Sequence, residues 1–290
     1  MSDPIVLTVG SLHYDIMVEA SHLPRKDETA VGTRWYPKFG GKGGNQAVAC
    51  ARQGAASRMV GAVGRDNFAP FLREGLAAAG VDHRFVVDCD APSGMSVAIM
   101  DAAGDYMATI VSGANLMIDT DALRSPAAWA DVALLILQNE IPDAVNQVAA
   151  TEARARGIPV LLNAAPARAL SPTFKALVDI LVVNAVEAEM MGTDPVCCLQ
   201  SADDAARKLA AQFDTVIVTA GAQGLAAWGT AFGAFQLPAV KVKAISSHGA
   251  GDAFIGAFAA GLVQKPDLFA ACSAAALAAS RHVAGQPAAA

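Results

Sequence analysis

The chain has few charges, few aromatic residues and no long apolar run, and each scarcity excludes a class of protein. Charged residues make up 17% of its 290 residues and aromatic residues 6%. No apolar run reaches the roughly 18 residues that span a bilayer, so we expect no membrane association. The net charge of −6 comes without a basic cluster, which argues against nucleic acid as a partner. Hydrophobic residues nevertheless make up 54%, enough for a large core, so the chain is not expected to be disordered.

Cysteine is also scarce. The chain has five cysteines, an odd number, and none of them forms a C-x-x-C pair. Neither a zinc site nor a disulfide framework is therefore expected. The N-terminal residues MSDPIVLTVGSLHYD lack the basic start and long apolar region of a signal peptide. Reduced thiols fit a cytoplasmic location, which is our expectation.

The second half of the chain alternates apolar strands with alanine-rich helices. The predicted strands cover residues 132–138, 158–163, 179–184 and 215–220. Such alternation is typical of parallel βα units. Polar or small residues end or follow these strands: Glu140, Asn163, Asn184, Thr219 and Gly221. Ligands bind at the carboxyl ends of parallel strands, so a site is expected there. Any one of these residues could also simply begin a polar loop.

The first half contains two segments of a different character, roughly residues 11–39 and 93–112. The first is broken by Pro24, Gly32 and Pro37 and has no helical period, so short strands are expected there. The second reads as two strands joined by a turn. Together they predict a small β-rich subdomain inserted into an α/β body.

One short stretch places a single acid at the start of an apolar helix. It consists of Gly249-Ala250-Gly251 followed by Asp252, after which the next strongly polar side chain is Gln264. A glycine-rich turn that opens a helix presents free N–H groups and the positive end of the helix dipole, which can hold phosphate oxygens. Asp252 could be a helix N-cap, a position that aspartate favours. Alternatively, it could be a general base that takes a proton from a substrate hydroxyl.

A second glycine-rich stretch, FGGKGGNQA, runs from Phe39 to Ala47. Its glycines allow a ligand to approach the backbone closely, although a flexible turn is the alternative. It does not match the G-x-x-x-x-G-K-[ST] phosphate loop, and the chain lacks an early G-x-G-x-x-G, which argues against a nicotinamide enzyme. Lys42 and Asn45 suggest hydrogen bonds to a polyhydroxyl ligand.

With both motifs present, the chain resembles the ribokinase-like, or PfkB, family of carbohydrate kinases. The signature stretches are FGGKGGNQAVACARQGA with VGAVGRDNFAPFLREGL, and SSHGAGDAFIGAFAAGL about 200 residues later. NAAPAR (163–168) and NAVEAE (184–189) also match stretches typical of ribokinases. The resemblance covers most of the chain.

The resemblance implies one domain over residues 1–290, with a doubly wound, mostly parallel α/β sheet flanked by helices. The two β-rich segments, roughly 11–39 and 93–112, would form a small lid sheet. The implied activity is ATP-dependent phosphorylation of a primary hydroxyl of a small sugar, with ribose as the best single guess. The alternatives are a kinase for another sugar such as fructose, a nucleoside kinase, or a non-catalytic sugar- or nucleotide-binding regulator on the same fold.

The resemblance also implies a role for each residue that matches the family's motifs. Asp252 would be the catalytic base, and Gly249, Ala250 and Gly251 its anion hole. The positions that match sugar ligands are Asp15, Gly41, Lys42, Asn45 and Glu140. The N-x-x-E pair, Asn184 and Glu187, would influence phosphate and magnesium placement, with Glu187 acting on Mg²⁺ through water. The nucleotide would be ATP, and the positions that match its binding loop are Thr219, Gly221 and Gly224.

Two residues depart from the family's pattern. Ser246 occupies the position of an aspartate that helps ribokinases bind a monovalent cation, which argues against a strong K⁺ requirement. His13 replaces the asparagine of the Gly-Ser-x-Asn-x-Asp pattern, here GSLHYD. His13 would either contribute to sugar choice or be an ordinary polar loop residue. The expected partners are a sugar and ATP, and the exposed lid sheet also allows a homodimer.

Overall fold

The computed structural model describes residues 3–103 and 105–286, which form thirteen β-strands and ten α-helices. The strands are β1 Ile5–Val9, β2 His13–Ala20, β3 Gly32–Gly40, β4 Ala56–Gly64, β5 Asp82–Cys89, β6 Met95–Met100, β7 Tyr106–Val111, β8 Val132–Gln138, β9 Val160–Asn163, β10 Ile180–Asn184, β11 Thr215–Thr219, β12 Gly224–Gly229 and β13 Gly233–Pro238. The helices are α1 Lys42–Arg52, α2 Phe68–Ala78, α3 Thr120–Arg124, α4 Pro126–Trp129, α5 Asp143–Ala155, α6 Pro172–Lys175, α7 Ala185–Met190, α8 Leu199–Leu209, α9 Ala250–Gln264 and α10 Leu268–Val283.

Nine strands form one large sheet in the order β13-β12-β11-β10-β9-β8-β1-β4-β5. The strands from β11 to β5 are all parallel to their neighbours, whereas β12 and β13 continue the sheet in antiparallel pairing. The chain begins near the middle at β1, builds outward through β4 and β5, and then builds in the other direction from β8. The predicted doubly wound, mostly parallel sheet is therefore confirmed.

Both faces of this sheet are covered, because neighbouring residues of a strand point to opposite sides. In β8, Leu134 and Ile136 join a buried cluster with Phe254 and Phe258 of α9. The alternate residues of β8 belong to the cluster on the other face, with residues of α5 and α8. Such strands read as continuous apolar runs, which is why they stand out in the sequence. Among the described residues, no helix combines the length and the apolarity that crossing a membrane requires.

A separate four-stranded sheet, with the order β3-β2-β6-β7, confirms the predicted small sheet. Strand β2 pairs antiparallel with β3 and parallel with β6, and β7 pairs antiparallel with β6. The chain leaves the large sheet after β1 and returns from β3 directly into α1. The pair β2–β3 is therefore connected to β1 at one end and, at the other, to α1, which carries the FGGKGGNQA motif. Its motion as a lid remains a prediction.

Candidate active site

Asp252 lies in the first turn of α9, but it does not cap this helix. The N-cap residue is Gly249, whose φ of 84° is in the left-handed region that favours glycine. The Asp252 carboxylate instead accepts hydrogen bonds from two side chains of α1. Asn45 Nδ2 lies 3.1 Å from Oδ2, and Gln46 Nε2 lies 3.0 Å from Oδ1. The carboxylate therefore faces the other glycine-rich motif.

Burial raises the pKa of Asp252. The positive charge of Lys42 and the hydrogen bonds from Gln46 and Asn45 act in the opposite direction, while the charge of Glu140 adds to the increase. A buried carboxylate with a raised pKa among polar groups is a candidate general base for a hydroxyl proton.

Helices α1 and α9 approach each other closely at Gly256, one turn after Asp252. A Cβ at position 256 would lie 2.5 Å from the backbone nitrogen of Cys50 and 2.6 Å from the carbonyl oxygen of Gln46. No side chain fits into that space. The absence of one at Gly256 therefore allows the backbone of α1 to rest on α9, which brings Asn45 and Gln46 to Asp252.

The predicted anion hole is only partly available. The N–H of Ala250 donates to the carbonyl oxygen of Ser247 over 3.2 Å. Within the described part of the chain, the N–H groups of Gly249, Gly251 and Asp252 have no acceptor. Three unpaired donors at the positive end of a 15-residue helix can hold an anion such as a phosphoryl group.

Glu140 follows β8 and links the large sheet to the start of α1. Its Oε2 accepts a hydrogen bond from Ser11 Oγ at 2.6 Å and one from the N–H of Lys42 at 2.9 Å. The carboxylate thus occupies the N-terminus of α1, which begins after Gly41 (φ 85°). Glu140 thus caps the N-terminus of α1, and its role in sugar binding stays a prediction.

His13 lies beside Glu140 and is 3% exposed. Its Nδ1 is 4.0 Å from Glu140 Oε2, whereas its buried Nε2 has no hydrogen-bond partner among the described residues. A buried polar atom without a partner is rare in native proteins, so a ligand or a water is expected there.

Asp15 lies in β2 on the small sheet and is 7% exposed. Ser96 Oγ of the neighbouring strand β6 donates to Asp15 Oδ1 over 2.5 Å. Burial raises the pKa of Asp15, and the hydrogen bond from Ser96 and the charges of His13 and His248 partly offset this effect. Oδ2 accepts no hydrogen bond from the described residues, so it remains able to bind a hydroxyl.

Asn184 and Glu187 form a reciprocal capping box at the start of α7. Asn184 Oδ1 accepts from the N–H of Glu187, and Glu187 Oε2 accepts from the N–H of Asn184, both at 2.9 Å. Burial raises the pKa of Glu187, the charge of Lys42 lowers it and the charge of Asp252 raises it. Glu187 is thus within electrostatic reach of Asp252, and its Oε1 is not used by the capping box.

The remaining predicted residues lie at the end of β11. Thr219 is paired in register with Asn184, which brings the predicted nucleotide loop beside the N-x-x-E motif. Gly221 (φ 54°) begins a 3₁₀ turn, and Gly224 (φ 118°) begins β12.

Ser246 lies in an irregular segment before α9. Its Oγ accepts from the N–H of His248 at 3.3 Å, and its own N–H donates to the carbonyl oxygen of Val283. His282 Nε2 lies 2.9 Å from the carbonyl oxygen of His248. This carbonyl therefore already has a protein partner, and the side chain at position 246 is an uncharged hydroxyl.

The residues brought into one connected cluster are Asp252, Asn45, Lys42, Glu140 and His13, with Glu187 and Asp15 nearby through their charges. Sequence reasoning did not single out Gln46, Ser96 and His248. Gln46 stands in the FGGKGGNQA motif beside Asn45, and this position was the only available signal. In the described residues, no three His, Cys, Asp or Glu side chains converge as a metal site would require.

The known proteins that this chain resembles include sugar kinases. Residues 5–288 match the pfkB family carbohydrate kinases. A ribokinase of Mus musculus is 36% identical over 268 residues, which cover 91% of this chain and 83% of the relative. A deoxyribokinase of Salmonella typhi is 33% identical over 286 residues, covering 97% and 93%. Among solved structures, Arabidopsis thaliana ribokinase complexed with ribose and ATP has a TM-score of 0.88 at 28% identity, covering 98% of this chain and 93% of that chain.

Proposed function

Since this chain belongs to the pfkB family of carbohydrate kinases and is an ATP-dependent sugar kinase, we propose that it phosphorylates the primary hydroxyl of ribose. The observation that carries the proposal is the joining of Asp252, the free N–H groups of α9 and the α1 motif in one cluster. The names of the relatives support ribose over sugars of other sizes.

In the proposed reaction, Asp252 is the general base. As the hydroxyl oxygen of the sugar forms its bond to the γ-phosphorus of ATP, the hydroxyl proton passes to Asp252 and ADP leaves. The N–H groups of Gly249 and Gly251 stabilise the negative charge on the transferring group. Ala250 contributes less than the family pattern implies, because its N–H already donates to Ser247.

The proposed sugar ligands surround this base. Asp15 accepts hydrogen bonds from sugar hydroxyls through Oδ2, while Ser96 holds Oδ1. Lys42, Asn45, Glu140 and the backbone at Gly41 are the other proposed sugar contacts.

The unpartnered Nε2 of His13 supplies a contact that the family's asparagine would make differently. Because sugar hydroxyls both donate and accept, they could satisfy Nε2 in either tautomer.

The nucleotide binds along Asn184, Thr219, Gly221 and Gly224 in this proposal. Mg²⁺ fits the oxygen donors present, since Glu187 has a free Oε1 and Mg²⁺ usually takes one or two carboxylates besides phosphates and water. When bound, the ion would neutralise phosphate charge, and Glu187 would hold it through water. The surroundings of Ser246 do not fit a monovalent cation well, because a neutral hydroxyl stands where a carboxylate would contribute charge.

Two further properties belong to the proposal. The edge strand β7 exposes Met107 and Ile110, which supports a homodimer through the lid sheet. The five cysteines, without a C-x-x-C pair, support a reducing compartment such as the cytoplasm. Sedimentation of the purified protein would decide whether it is a dimer.

A second candidate substrate is 2-deoxyribose, favoured by the deoxyribokinase relative that matches 97% of this chain. An ADP-release assay across ribose, 2-deoxyribose, fructose, adenosine and pseudouridine tests both candidates. We expect the highest kcat/KM with ribose. A preference for adenosine or pseudouridine would replace the proposal with a nucleoside kinase. If no compound raises ADP release above that of Asp252→Asn, the proposal of ribose and that of 2-deoxyribose both fail.

A further inference from the structure

Gln46 makes more contacts with the proposed base than its place in the sequence would suggest. Its side chain is fully buried between α1, α9 and the end of β9. Nε2 donates to Asp252 Oδ1 and to Asn163 Oδ1, each over 3.0 Å. Asn163 is held in turn, because its Nδ2 donates to the carbonyl oxygen of Val182 over 3.3 Å.

The orientation of this amide follows from its neighbours. If the amide were turned over, Oε1 would face two acceptor oxygens, one of them on a carboxylate. Nε2 must therefore point to Asp252 and Asn163, which leaves Oε1 buried without a partner among the described residues. Burial of the unpaired Oε1 is costly, and the two hydrogen bonds donated by Nε2 are the interactions that offset this cost.

The two donors to Asp252 differ in a way that assigns them different roles. Asn45 is half-buried, belongs to the proposed sugar ligands and binds Oδ2. Gln46 is fully buried, and a Cβ at Gly256 would lie only 2.6 Å from its carbonyl oxygen. When a hydroxyl approaches Asp252, the exchangeable partner is therefore Asn45, and the oxygen that becomes free is Oδ2.

We propose that Gln46 is a positioning residue for the base. Its Nε2 bridges Oδ1 of Asp252 and Oδ1 of Asn163 at the end of β9, which holds the carboxylate in one orientation. Oδ2 is then the oxygen that receives the substrate proton. Gln46 also supplies a fixed donor that favours the ionised form of the buried carboxylate. This inference rests on the proposed function as far as Asp252 is the base, but its structural content can be tested without sugar turnover.

The sign of the expected effect follows from the groups around Asp252. Burial raises its pKa, and Lys42, Gln46 and Asn45 act against that increase. The other titratable groups facing it are Glu140 and Glu187, whose negative charges also favour the protonated form. Loss of the Gln46 donor should therefore raise the pKa of Asp252 further. As the pH falls, the carboxylate should then become protonated at a higher pH than in the wild type.

The direct test is a ¹³C-NMR titration of the Asp252 carboxyl carbon in the ligand-free protein, with its signal assigned by its absence in Asp252→Asn. Gln46→Leu should move the titration midpoint upward by about one pH unit, the shift expected when a carboxylate loses one hydrogen-bond donor. Gln46→Met keeps the length of the side chain without a donor, and it replaces Gln46→Leu if the shorter side chain prevents folding. An unchanged midpoint in a folded variant would overturn the proposal.

The matched control is Asn146→Leu. Asn146 is another fully buried amide with an unpartnered oxygen, but its Nδ2 donates to the carbonyl oxygen of Gln138 and contacts no carboxylate. It should leave the Asp252 midpoint at the wild-type value. If it moves the midpoint as far as Gln46→Leu does, the shift reflects general loosening and the positioning role is refuted.

The second readout is the pH profile of kcat with the best sugar. Gln46→Leu should move the acid limb upward by the same amount as the NMR midpoint and leave the KM for sugar nearly unchanged. Asn45→Ala should instead raise that KM. A rise in KM without a shift of the limb in Gln46→Leu would contradict the proposal. If the wild type phosphorylates no sugar, the proposed function fails, while the NMR titration still decides the role of Gln46.

Discussion

Replacement of Asp252 by Asn separates a general base from a structural acid. The variant keeps the shape of the side chain and retains an oxygen for Gln46 Nε2, 3.0 Å away in the wild type. Its new NH₂ group would face Asn45 Nδ2, where Oδ2 now lies at 3.1 Å, so Asn45 must rotate. We expect the variant to fold and to bind ATP like the wild type, and to bind sugar with only a small loss, because the amide of Asn45 turns over in place.

Turnover should fall by about 10²- to 10⁴-fold, the usual contribution of a positioned general base. This corresponds to about 3 to 5.5 kcal/mol of activation free energy. The measurement is ADP release with the best sugar, with binding of both ligands measured by calorimetry.

Whereas the turnover of Asp252→Asn should fall, its thermal stability should rise. The folded-state pKa of Asp252 is raised, so its ionised form costs stability at neutral pH, and this cost disappears as the pH falls below the unfolded value near 3.8. Asp252→Asn should therefore melt at a higher temperature than the wild type at pH 7, with the difference shrinking toward pH 4.

The matched control is Asp267→Asn. Asp267 is a true N-cap of α10, where its Oδ1 accepts from the N–H of Ala270 at 3.0 Å, and asparagine caps equally well. This control should retain nearly full turnover. If Asp252→Asn also turns over within a few-fold of the wild type, Asp252 is not the base.

Three further predictions follow from other parts of the site. Asp15→Ala should weaken sugar binding by about 2 kcal/mol, roughly 30-fold, because a carboxylate ligand is lost, and equal losses for sugar and ATP in calorimetry would make Asp15 structural. Since Ser246 supplies no charge, KCl should activate the enzyme only weakly in a sodium-free assay, and Ser246→Asp should respond more; a strict K⁺ requirement of the wild type would contradict this. The small sheet should close over bound sugar and exclude water, which X-ray scattering would detect as a smaller radius of gyration, whereas identical curves with and without sugar would refute closure.

The sequence predicted those parts of the fold that are buried on both sides. The run 132–138 coincides with β8, and 179–184 differs from β10 by one residue, because central parallel strands are continuously apolar. Strands β12 and β13 were not predicted. They form the antiparallel edge of the sheet. In β13 most residues are exposed, and the apolar run of β12 is only four residues long, between two glycines.

The site was predicted unevenly for a similar reason. Glycine-rich turns and lone acids can be recognised in the sequence, whereas the distant side chains that form hydrogen bonds with them cannot. The N-x-x-E spacing of Asn184 and Glu187 is itself a capping-box signature, so its local role could have been expected from the spacing alone. The contact of Gln46 with Asp252 spans 206 residues, and no local pattern marks a pairing at that separation.

Because α9 packs closely against α1 at Gly256, the cluster around Asp252 can form only after both helices have been synthesised. With 206 residues between Gln46 and Asp252, and synthesis at 5–20 residues per second, about 10 to 40 s pass between the two. During that interval α1 has already been made, but the helix that will cover its buried amide does not yet exist. A nascent chain therefore holds most of its proposed sugar ligands before it holds a base. If Asp252 is the base, as proposed, a chain in which α9 has not yet docked cannot phosphorylate a sugar.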